Sequence, residues 1–551
     1  FSRTDDFTRV NDGRLGSVTV NEDWHFDYDL SVRGIKEHFA VKSLSGFGCE
    51  TMRPAVGAAG ALLKYLEHTQ KKQLSNLDVI KTYSVSQYMS MDLNTHRNLE
   101  LVRNAEDLST RGTLFGVLNA AKTPMGTRRL KRWILNPLLD AGAIRSRQGA
   151  VDHFFGSADS RRVVREHLAE IYDMERLSNR ISLGTANARD LKALSLSLKR
   201  IKGIKGAIAP GGDKRIRRIC EELDDFADLT GRIDSCLVEE PPVSLREGGL
   251  VKKGHNRELD ELRRIVSGGK DWLAELQKKE IERTGISSLK VGYNKVFGYY
   301  IEVTRSNLDA VPDHYIRKQT LVNAERFITQ ELKDMETRII GARDRIRDME
   351  YSIFCRLRGE TGAEIERLKK SAALVSELDV LSSLAETAAA NRYVRPVITG
   401  DGRLFIKDGR HPVLEKLLKD KEFVSNDIRM DQRENTIFII TGSNMAGKST
   451  YIRQVALITI MAQMGGFVPA AEAEIGLVDR VFTRVGASDR LYRGMSTFMV
   501  EMLETANILN NATPRSLVIL DEIGRGTSTF DGVSIAWAVI EYLHRRISGA
   551  R

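Results

Sequence analysis

Between Pro312 and Pro396 the chain contains no proline, and apolar residues recur from Leu321 to Leu357 at spacings of three, four or seven residues. This spacing places the apolar side chains along one side of an α-helix. A helix over 319–370 would be roughly 75 Å long at about 1.5 Å per residue, too long to be buried in one compact core. We therefore expect an extended helical lever between domains, packed against the amphipathic helix predicted for 255–285.

A different pattern separates these two helices. The segments Leu289-Lys-Val-Gly-Tyr293 and Phe297-Gly-Tyr-Tyr-Ile-Glu-Val-Thr304 are rich in aromatic and β-branched residues. With glycines between them, they favour a hairpin-like pair of strands, which we expect at the far tip of the lever. Upstream, the stretch from 54 to about 240 is rich in leucine and alanine and is predicted to be helical. Residues 1–50 are interpreted as the end of a small α/β domain.

From about residue 396, short β-branched runs alternate with helical stretches, which is typical of an α/β domain with a mostly parallel sheet. The expected fold class is therefore multidomain, α and α/β: a long-helix lever domain with an inserted small β-rich clamp, and a C-terminal α/β domain. The predicted units are the end of a connector domain (1–53), the first part of the lever domain (54–264), the clamp (265–330), the second part of the lever domain (331–395) and the C-terminal domain (396–551).

The apolar run 435–441, which we predict to be a strand, is followed directly by a sequence that matches GxxxxGK[ST], and then by a helical stretch. In this motif the glycines let the backbone wrap phosphates, and N–H groups at the helix N-terminus bind them. Lys448 would neutralise the β/γ-phosphate charge, which makes it a catalytic residue as well, and Ser449 would ligate Mg²⁺. The predicted ATP-binding residues of this loop are Gly442, Ser443, Asn444, Met445, Ala446, Gly447, Lys448, Ser449 and Thr450.

A second motif strengthens this interpretation. The run Ser516-Leu-Val-Ile-Leu520 is predicted to be a strand, and it ends in Asp521 and Glu522. An apolar strand that ends in two acids is weak evidence alone and strong evidence downstream of a phosphate loop. In such ATPases the first carboxylate holds Mg²⁺ and the second polarises the attacking water, so Asp521 is a predicted metal ligand and Glu522 the predicted catalytic carboxylate.

Ser496 stands at the start of a helix predicted to run to Asn511. Its hydroxyl is compatible with a simple helix cap, which spacing alone favours. It is also compatible with an anion site aimed at the γ-phosphate on another subunit. Both interpretations stay open on the residues alone.

Together these segments resemble the MutS family of DNA mismatch-repair ATPases, whose nucleotide-binding domain is of the ABC type. The resemblance covers about residues 25–548 and looks closer to the bacterial branch than to the eukaryotic one. It is carried by Thr441-Gly-Ser-Asn-Met-Ala-Gly-Lys-Ser-Thr450, Gly466-Phe-Val-Pro-Ala470, Ser496-Thr-Phe-Met-Val-Glu-Met502, Asp521-Glu-Ile-Gly-Arg-Gly-Thr-Ser-Thr529, Thr123-Pro-Met-Gly-Thr-Arg-Arg-Leu130 and Leu289-Lys-Val-Gly-Tyr-Asn294.

The resemblance implies an ATPase that uses ATP and Mg²⁺, binds double-stranded DNA and initiates mismatch repair as a dimeric sliding clamp. It implies that Ser496 reaches the nucleotide of the partner in a homodimer and that Phe423 packs on the adenine. It also implies that Asn444 and Gln463 lie near the γ-phosphate. A MutL-type repair protein is the expected further partner, and the nucleoid within the cytoplasm is the expected location.

Three departures qualify this expectation. No Phe-x-Glu tripeptide occurs, so the mismatch-reading wedge of the family is missing from the chain. Position 443 is serine where the family usually has proline. The sequence also stops before the histidine-bearing strand and C-terminal helices of the family, so we expect a fragment with weakened dimerisation and turnover. The alternative is a MutS-like structural clamp that holds recombination junctions without reading mismatches.

Charge and cysteine content agree with this interpretation without deciding it. The net charge of +10 favours nucleic acid only mildly. The charge of the tip segment 289–318 is equally compatible with a solvated surface, and the resemblance favours contacts with DNA phosphates. No apolar run is long enough for a membrane span, and four scattered cysteines favour a reducing compartment. The predicted DNA-binding residues are Lys290, Asn294, Lys295, Arg305, Arg317 and Lys318.

Overall fold

The computed structural model describes residues 19–70, 87–208, 212–294, 298–418, 423–443, 446–486, 497–547 and 549–551, together with 74, 77, 80 and 82. The α-helices, α1 to α18, are Tyr28–His38, Arg53–Gln70, Leu93–Asn98, Leu114–Leu118, Pro124–Leu135, Ala141–Gly156, Ala158–Ala169, Met174–Ser182, Ala188–Ala207, Lys214–Glu222, Ala227–Cys236, Arg257–Thr284, Gln330–Ala363, Ile365–Asn391, Leu414–Leu417, Lys448–Gln463, Thr497–Asn511 and Thr529–Arg546. The strands, β1 to β11, are Ser90–Met91, Lys290–Asn294, Gly298–Thr304, Ile316–Thr320, Ala324–Ile328, Val397–Thr399, Leu404–Gly409, Asn426–Met430, Glu472–Gly476, Arg480–Arg484 and Ser516–Leu520. The chain is thus multidomain and mostly helical, with α/β content.

Helices α1 and α2 form a small unit of their own. Ile35 of α1 and Val56 and Leu63 of α2 share a hydrophobic core that is separate from the main core of the protein. Because α2 packs on α1, residues 54–70 lie with the first unit, and the boundary predicted after residue 53 is placed too early. The part of 19–70 that the structure describes contains two α-helices, two short 3-10 helices and no named β-strand, so no strand of the expected α/β domain lies there.

Helix α14 lies at the centre of the helical domain, where α5, α6, α7 and α8 pack against it. A helix covered on all sides carries either apolar side chains or hydrogen-bonded polar side chains around its whole surface. The buried carboxylate of Asp379 is one of these hydrogen-bonded groups. It accepts hydrogen bonds from the backbone N–H groups of Lys122 and Thr123 and from the Thr123 hydroxyl, at 2.7–2.9 Å. Thr123 in turn caps α5 by accepting from the N–H of Gly126. The Thr123-Pro-Met-Gly motif is therefore a joint between α5 and α14.

The lever is built from α12 and α13, which pack side by side and lead to an antiparallel sheet in the order β2-β3-β5-β4. This tip has its own core, which includes Leu276, Ile301, Phe327 and Leu332. The predicted pair of strands is confirmed as β2 and β3. The predicted boundary at 264/265 falls inside the unbroken helix α12.

The single long helix predicted for 319–370 is wrong in its extent. Strands β4 and β5 occupy its first part, and α13 begins only after Thr329, whose side chain accepts a hydrogen bond from the N–H of Leu332. Helix α13 ends at Ala363, and α14 follows after Glu364. Its 34 residues make α13 about 50 Å long. The apolar spacing predicted a helix here because Phe327 and Ile328 fit its pattern. Both residues instead belong to β5 and pack into the core of the tip.

Two sheets form the C-terminal α/β part. One is parallel, in the order β1-β10-β11, and it includes β1 from outside the predicted domain. The other is mixed, in the order β6-β9-β7-β8. The strand predicted for 435–441 is not formed: the run is not paired into either sheet, and Ile439 remains 73% exposed. Among the described residues, no helix is both long and apolar enough to cross a membrane.

Candidate functional site

The predicted phosphate loop lies at the start of α16. Gly447 is the N-cap of this helix and has a φ of +87°, a left-handed conformation that favours glycine. The ammonium of Lys448 donates hydrogen bonds to the carbonyl oxygens of Gly442 and Ser443, at 2.7 and 2.9 Å. Lys448 therefore lies across the loop, next to the free N–H groups at the helix N-terminus. Ser449 and Thr450 are half-buried in the first turn, Ala446 is exposed, and Asn444 and Met445 lie outside the described residues.

The two acidic residues lie close to this loop. Asp521 and Glu522 follow β11, and both line a cavity of about 400 Å³ together with Lys448 and the run 436–440. The structure therefore brings the predicted lysine and both predicted carboxylates to one cavity. Glu522 has a φ of +56°, which costs a non-glycine residue roughly 1–2 kcal/mol. Its carboxylate accepts a hydrogen bond from Arg525 at 2.6 Å.

The glycine-rich loop after the acidic pair is held by a residue whose role the sequence did not reveal. Glu501 is buried, and its carboxylate accepts a hydrogen bond from the N–H of Gly524 at 2.5 Å. Arg484, also buried, lies 3.7 Å from Glu501 and balances its charge. Glu501 shares the buried face of α17 with Thr505 and Ile508, and a carboxylate at such a position is the signal that could have identified it.

Gln463 does not belong to the phosphate site, contrary to expectation. It is the last residue of α16, about 22 Å along the helix axis from Lys448. It is fully buried, and its amide nitrogen donates to the carbonyls of Leu138 and Val478 at 2.9 and 3.0 Å. Its amide oxygen accepts from the N–H of Val478 at 2.8 Å. Gln463 therefore joins the C-terminal part to the helical domain.

The structure says less about the other two predicted nucleotide contacts, Phe423 and Ser496. Phe423 is half-buried and lies three residues before β8. Strand β8 contacts the first turn of α16, because the Tyr451 hydroxyl donates to the carbonyl of Asp427 at 2.9 Å. Ser496 lies outside the described residues, immediately before α17. The helix predicted to follow it, running to Asn511, is present.

The predicted DNA-binding residues on the tip differ in their exposure and in whether they form an ion pair. Lys290, Arg305 and Lys318 are exposed, and none forms an ion pair with another described residue. Arg317 is paired with Glu325 at 2.5 Å. Asn294, the last residue of β2, is half-buried, and Lys295 lies outside the described residues.

Arg326 was not among the predicted DNA-binding residues, because the charged tip segment used for that prediction ends at residue 318. Cross-strand pairing aligns Lys290, Glu302, Arg326 and Gln319 in one row across the sheet, so their side chains share one face. Arg326 lies 4.0 Å from the ring centre of Tyr300 and 2.9 Å from the Glu302 carboxylate. The sequence offered no alternation as a signal, because Ala324-Glu-Arg-Phe-Ile328 is buried at every position except Arg326.

Within the described residues, no group of three or more His, Cys, Asp or Glu side chains could hold a metal ion. A cation at the loop would thus have few protein ligands. Ser449 and Asp521 offer a hydroxyl and a carboxylate, the oxygen ligands that Mg²⁺ prefers when phosphates complete its coordination. The residues present therefore fit this type of site.

Comparison with known proteins identifies the family. Family models match at 438–550 (MutS domain V), 94–385 (MutS domain III) and 10–78 (MutS domain II). The chain belongs to the MutS family, which confirms the resemblance found from its motifs. The domain II match extends past residue 53, in agreement with the packing of α2 on α1.

Relatives named DNA mismatch repair protein MutS match most of this chain, and three of them show the extent of the match. The protein of Halothermothrix orenii is 53% identical over 92% of this chain and 57% of its own length. That of Lachnoclostridium phytofermentans is 50% identical over 96% of this chain and 56% of its own length. That of Methanosarcina mazei is 51% identical over 93% of this chain and 57% of its own length. The chain thus spans somewhat more than half the length of these relatives.

Proposed function

We propose that this chain binds and hydrolyses ATP with Mg²⁺ and couples hydrolysis to the binding of double-stranded DNA, in the mismatch recognition that initiates DNA mismatch repair. The observation that carries this proposal is the cavity shared by Lys448, Asp521 and Glu522 at the start of α16. The name shared by the relatives favours mismatch repair over a clamp for recombination junctions.

The polar groups at the start of α16 and in the cavity have roles that follow from their positions. The N–H groups at the start of α16 and the ammonium of Lys448 bind the phosphates. Ser449 and Asp521 would hold Mg²⁺, which would supply positive charge against the phosphates. Glu522 accepts a hydrogen bond from the attacking water and orients it. Its partner Arg525 is exposed, so this ion pair is weak and Glu522 is free to exchange it for water.

Glu522→Gln tests the catalytic assignment. It removes the charge that polarises water but leaves the phosphate loop intact, so hydrolysis should fall at least about a hundredfold while ATP binding is retained. Glu166→Gln is the matched control, because Glu166 is also paired on the protein surface with an arginine, four residues away. Turnover measured with each variant separates the two outcomes. Near-normal hydrolysis by Glu522→Gln would remove this residue from the mechanism.

We infer that the tip is the DNA clamp. Its core is separate from the main core, and α12 and α13 hold it away from the nucleotide cavity. The free cations Lys290, Arg305 and Lys318 suit contacts with phosphates, which position a duplex without reading its sequence. On this assignment the lever joins two working parts. An ABC-type ATPase lies at one end, and the DNA-holding clamp lies at the other.

We also infer that the chain works as a homodimer. Phe530, Val533 and Trp537 recur on one side of α18 and are 88%, 62% and 71% exposed. An apolar stripe of this kind is typical of a protein interface. A second copy at this surface would bring its own α17 close to the site, with Ser496 contacting the partner's nucleotide. A MutL-type repair protein and a cytoplasmic, nucleoid-associated location complete the proposal.

A further inference from the structure

A second cavity, of about 330 Å³, lies beside α5 and α6. Arg128, Arg129, Arg132 and Trp133 of α5 line it, with Arg147 of α6. It shares no lining residue with the nucleotide cavity. Arg147 donates from Nη1 to the carbonyl of Met464, directly after α16, so the cavity lies at the end of α16 opposite the phosphate loop.

The sequence of α5 concentrates positive charge on this wall. Arg128 and Arg132 are four residues apart and Arg129 and Arg132 are three apart, so their side chains are neighbours on the helix surface. Like charges at these spacings destabilise a helix unless counter-charges are supplied. The amphipathic pattern of α5 explains why Trp133 is buried, but not why the polar side carries three arginines around one cavity.

Carboxylates compensate only part of this charge. Arg128 is paired with Asp173 at 2.7 Å and with Glu175 at 2.5 Å. Arg129 is paired at 3.1 Å with Glu377, which also accepts from Arg215 at 2.6 Å. Arg132 and Arg147 have no carboxylate partner among the described residues. Five arginines against three carboxylates leave two uncompensated positive charges at the cavity.

Arg147 is the more unusual of the two. It is only 8% exposed, and its guanidinium stacks 3.6 Å from the ring centre of Trp133. Its Nε–H has no hydrogen-bond partner. Burial lowers the pKa of Arg147 to about 9. A buried cation without a counter-charge is costly, and an anion in the adjoining cavity would reduce that cost.

We propose that this arginine cavity binds a small, multiply charged phosphate-type oxyanion. Guanidinium groups are the donors best matched to phosphate oxygens, which they bind in bidentate pairs. The volume is sufficient for a small phosphate ester. The proposal is independent of the nucleotide assignment, because the two cavities have no residue in common.

Isothermal titration calorimetry with pyrophosphate, in a buffer free of phosphate, tests the site. The background is the full chain carrying Lys448→Ala, so that the phosphate loop does not compete. We expect one bound pyrophosphate, with a dissociation constant that rises at least tenfold in Arg132→Gln. Lys131→Gln is the matched control: it makes the same change of charge on the adjacent, exposed residue of α5, which does not line the cavity. It should change the dissociation constant less than twofold.

Three results would overturn the proposal. They are no binding of pyrophosphate to the Lys448→Ala chain, equal weakening by Arg132→Gln and Lys131→Gln, and binding of a polyglutamate peptide in preference to pyrophosphate. Arg147→Met should abolish binding if it folds. Since Arg132 is exposed, Arg132→Gln should fold normally and keeps the test decisive.

Discussion

Replacement of Gln463 by leucine tests whether the end of α16 is a structural joint or part of the nucleotide site. Leucine has about the same size, but it removes all three hydrogen bonds that the amide makes with Leu138 and Val478. Three backbone groups would then lack a partner, two of them buried at Val478 and one partly buried at Leu138. Each such group costs about 1–3 kcal/mol, and the burial of a leucine side chain returns about 2 kcal/mol. The expected net loss in the free energy of unfolding is therefore about 1–7 kcal/mol.

The assay is urea denaturation followed by circular dichroism. Gln454→Leu provides the control, because Gln454 is buried in the same helix but its amide oxygen has no hydrogen-bond partner. That variant should lose less than about 1 kcal/mol. Equal losses for the two variants would show that the three bonds of Gln463 contribute nothing specific.

Nucleotide titration of the folded Gln463→Leu chain provides the second readout. Because Gln463 lies about 22 Å from the loop, the dissociation constants for ATP and ADP should both stay within twofold of the unchanged chain. A γ-phosphate contact would instead weaken ATP selectively, by tenfold or more. That selective loss would refute the placement of Gln463 at the joint.

Three other outcomes follow from the described contacts. Lys318→Gln should weaken DNA binding equally for all sequences and lower the slope of log affinity against log salt by about 1, as measured by fluorescence anisotropy. Gly126→Ala should destabilise the chain by about 2–3 kcal/mol in urea, because a Cβ there would lie 2.2 Å from Oδ2 of Asp379, whereas Gly156→Ala meets nothing within 4 Å and should be neutral. Burial lowers the pKa of His411 to about 4 in the folded chain. The unfolded chain therefore binds the proton more readily, and stability should fall by about 2–3 kcal/mol as the pH drops from 6.5 toward 4, a loss that His411→Gln should remove.

Local motifs predicted the parts of the site that depend on neighbouring residues. The loop at Gly447 and Lys448 needs only a helix start and a glycine, and the acidic pair needs only the end of a strand. Gln463 could not be placed this way, because its partners Leu138 and Val478 come from distant parts of the chain. Family analogy assigned it to the phosphates, and packing assigns it to the joint.

The same distinction between local patterns and long-range contacts explains which parts of the fold could be predicted from the sequence. The lever and the first two tip strands follow from apolar periodicity, which is local. Strand β4 was missed because Ile316-Arg-Lys-Gln-Thr320 is exposed and charged and shows no apolar alternation. Its formation depends on pairing with β5. The run 435–441 shows the opposite error: its residues favour a strand, but a strand also needs a paired neighbour, and the described structure supplies none.

The joint at Gln463 limits how a change at the nucleotide cavity could reach the tip. Helix α16 begins at the phosphate loop and ends at the contacts with Leu138 and Arg147, so a shift of its first turn displaces a rigid helix against the helical domain. From there α5 is held to α14 by the buried Asp379, and α14 follows α13 after Glu364. Every link in this path is a helix or a buried hydrogen bond, and the apolar core is continuous from Met89 to Ile519. If nucleotide binding moves the tip, displacement along this path is one route, and bending at Glu364, where the backbone leaves the helical conformation, is another.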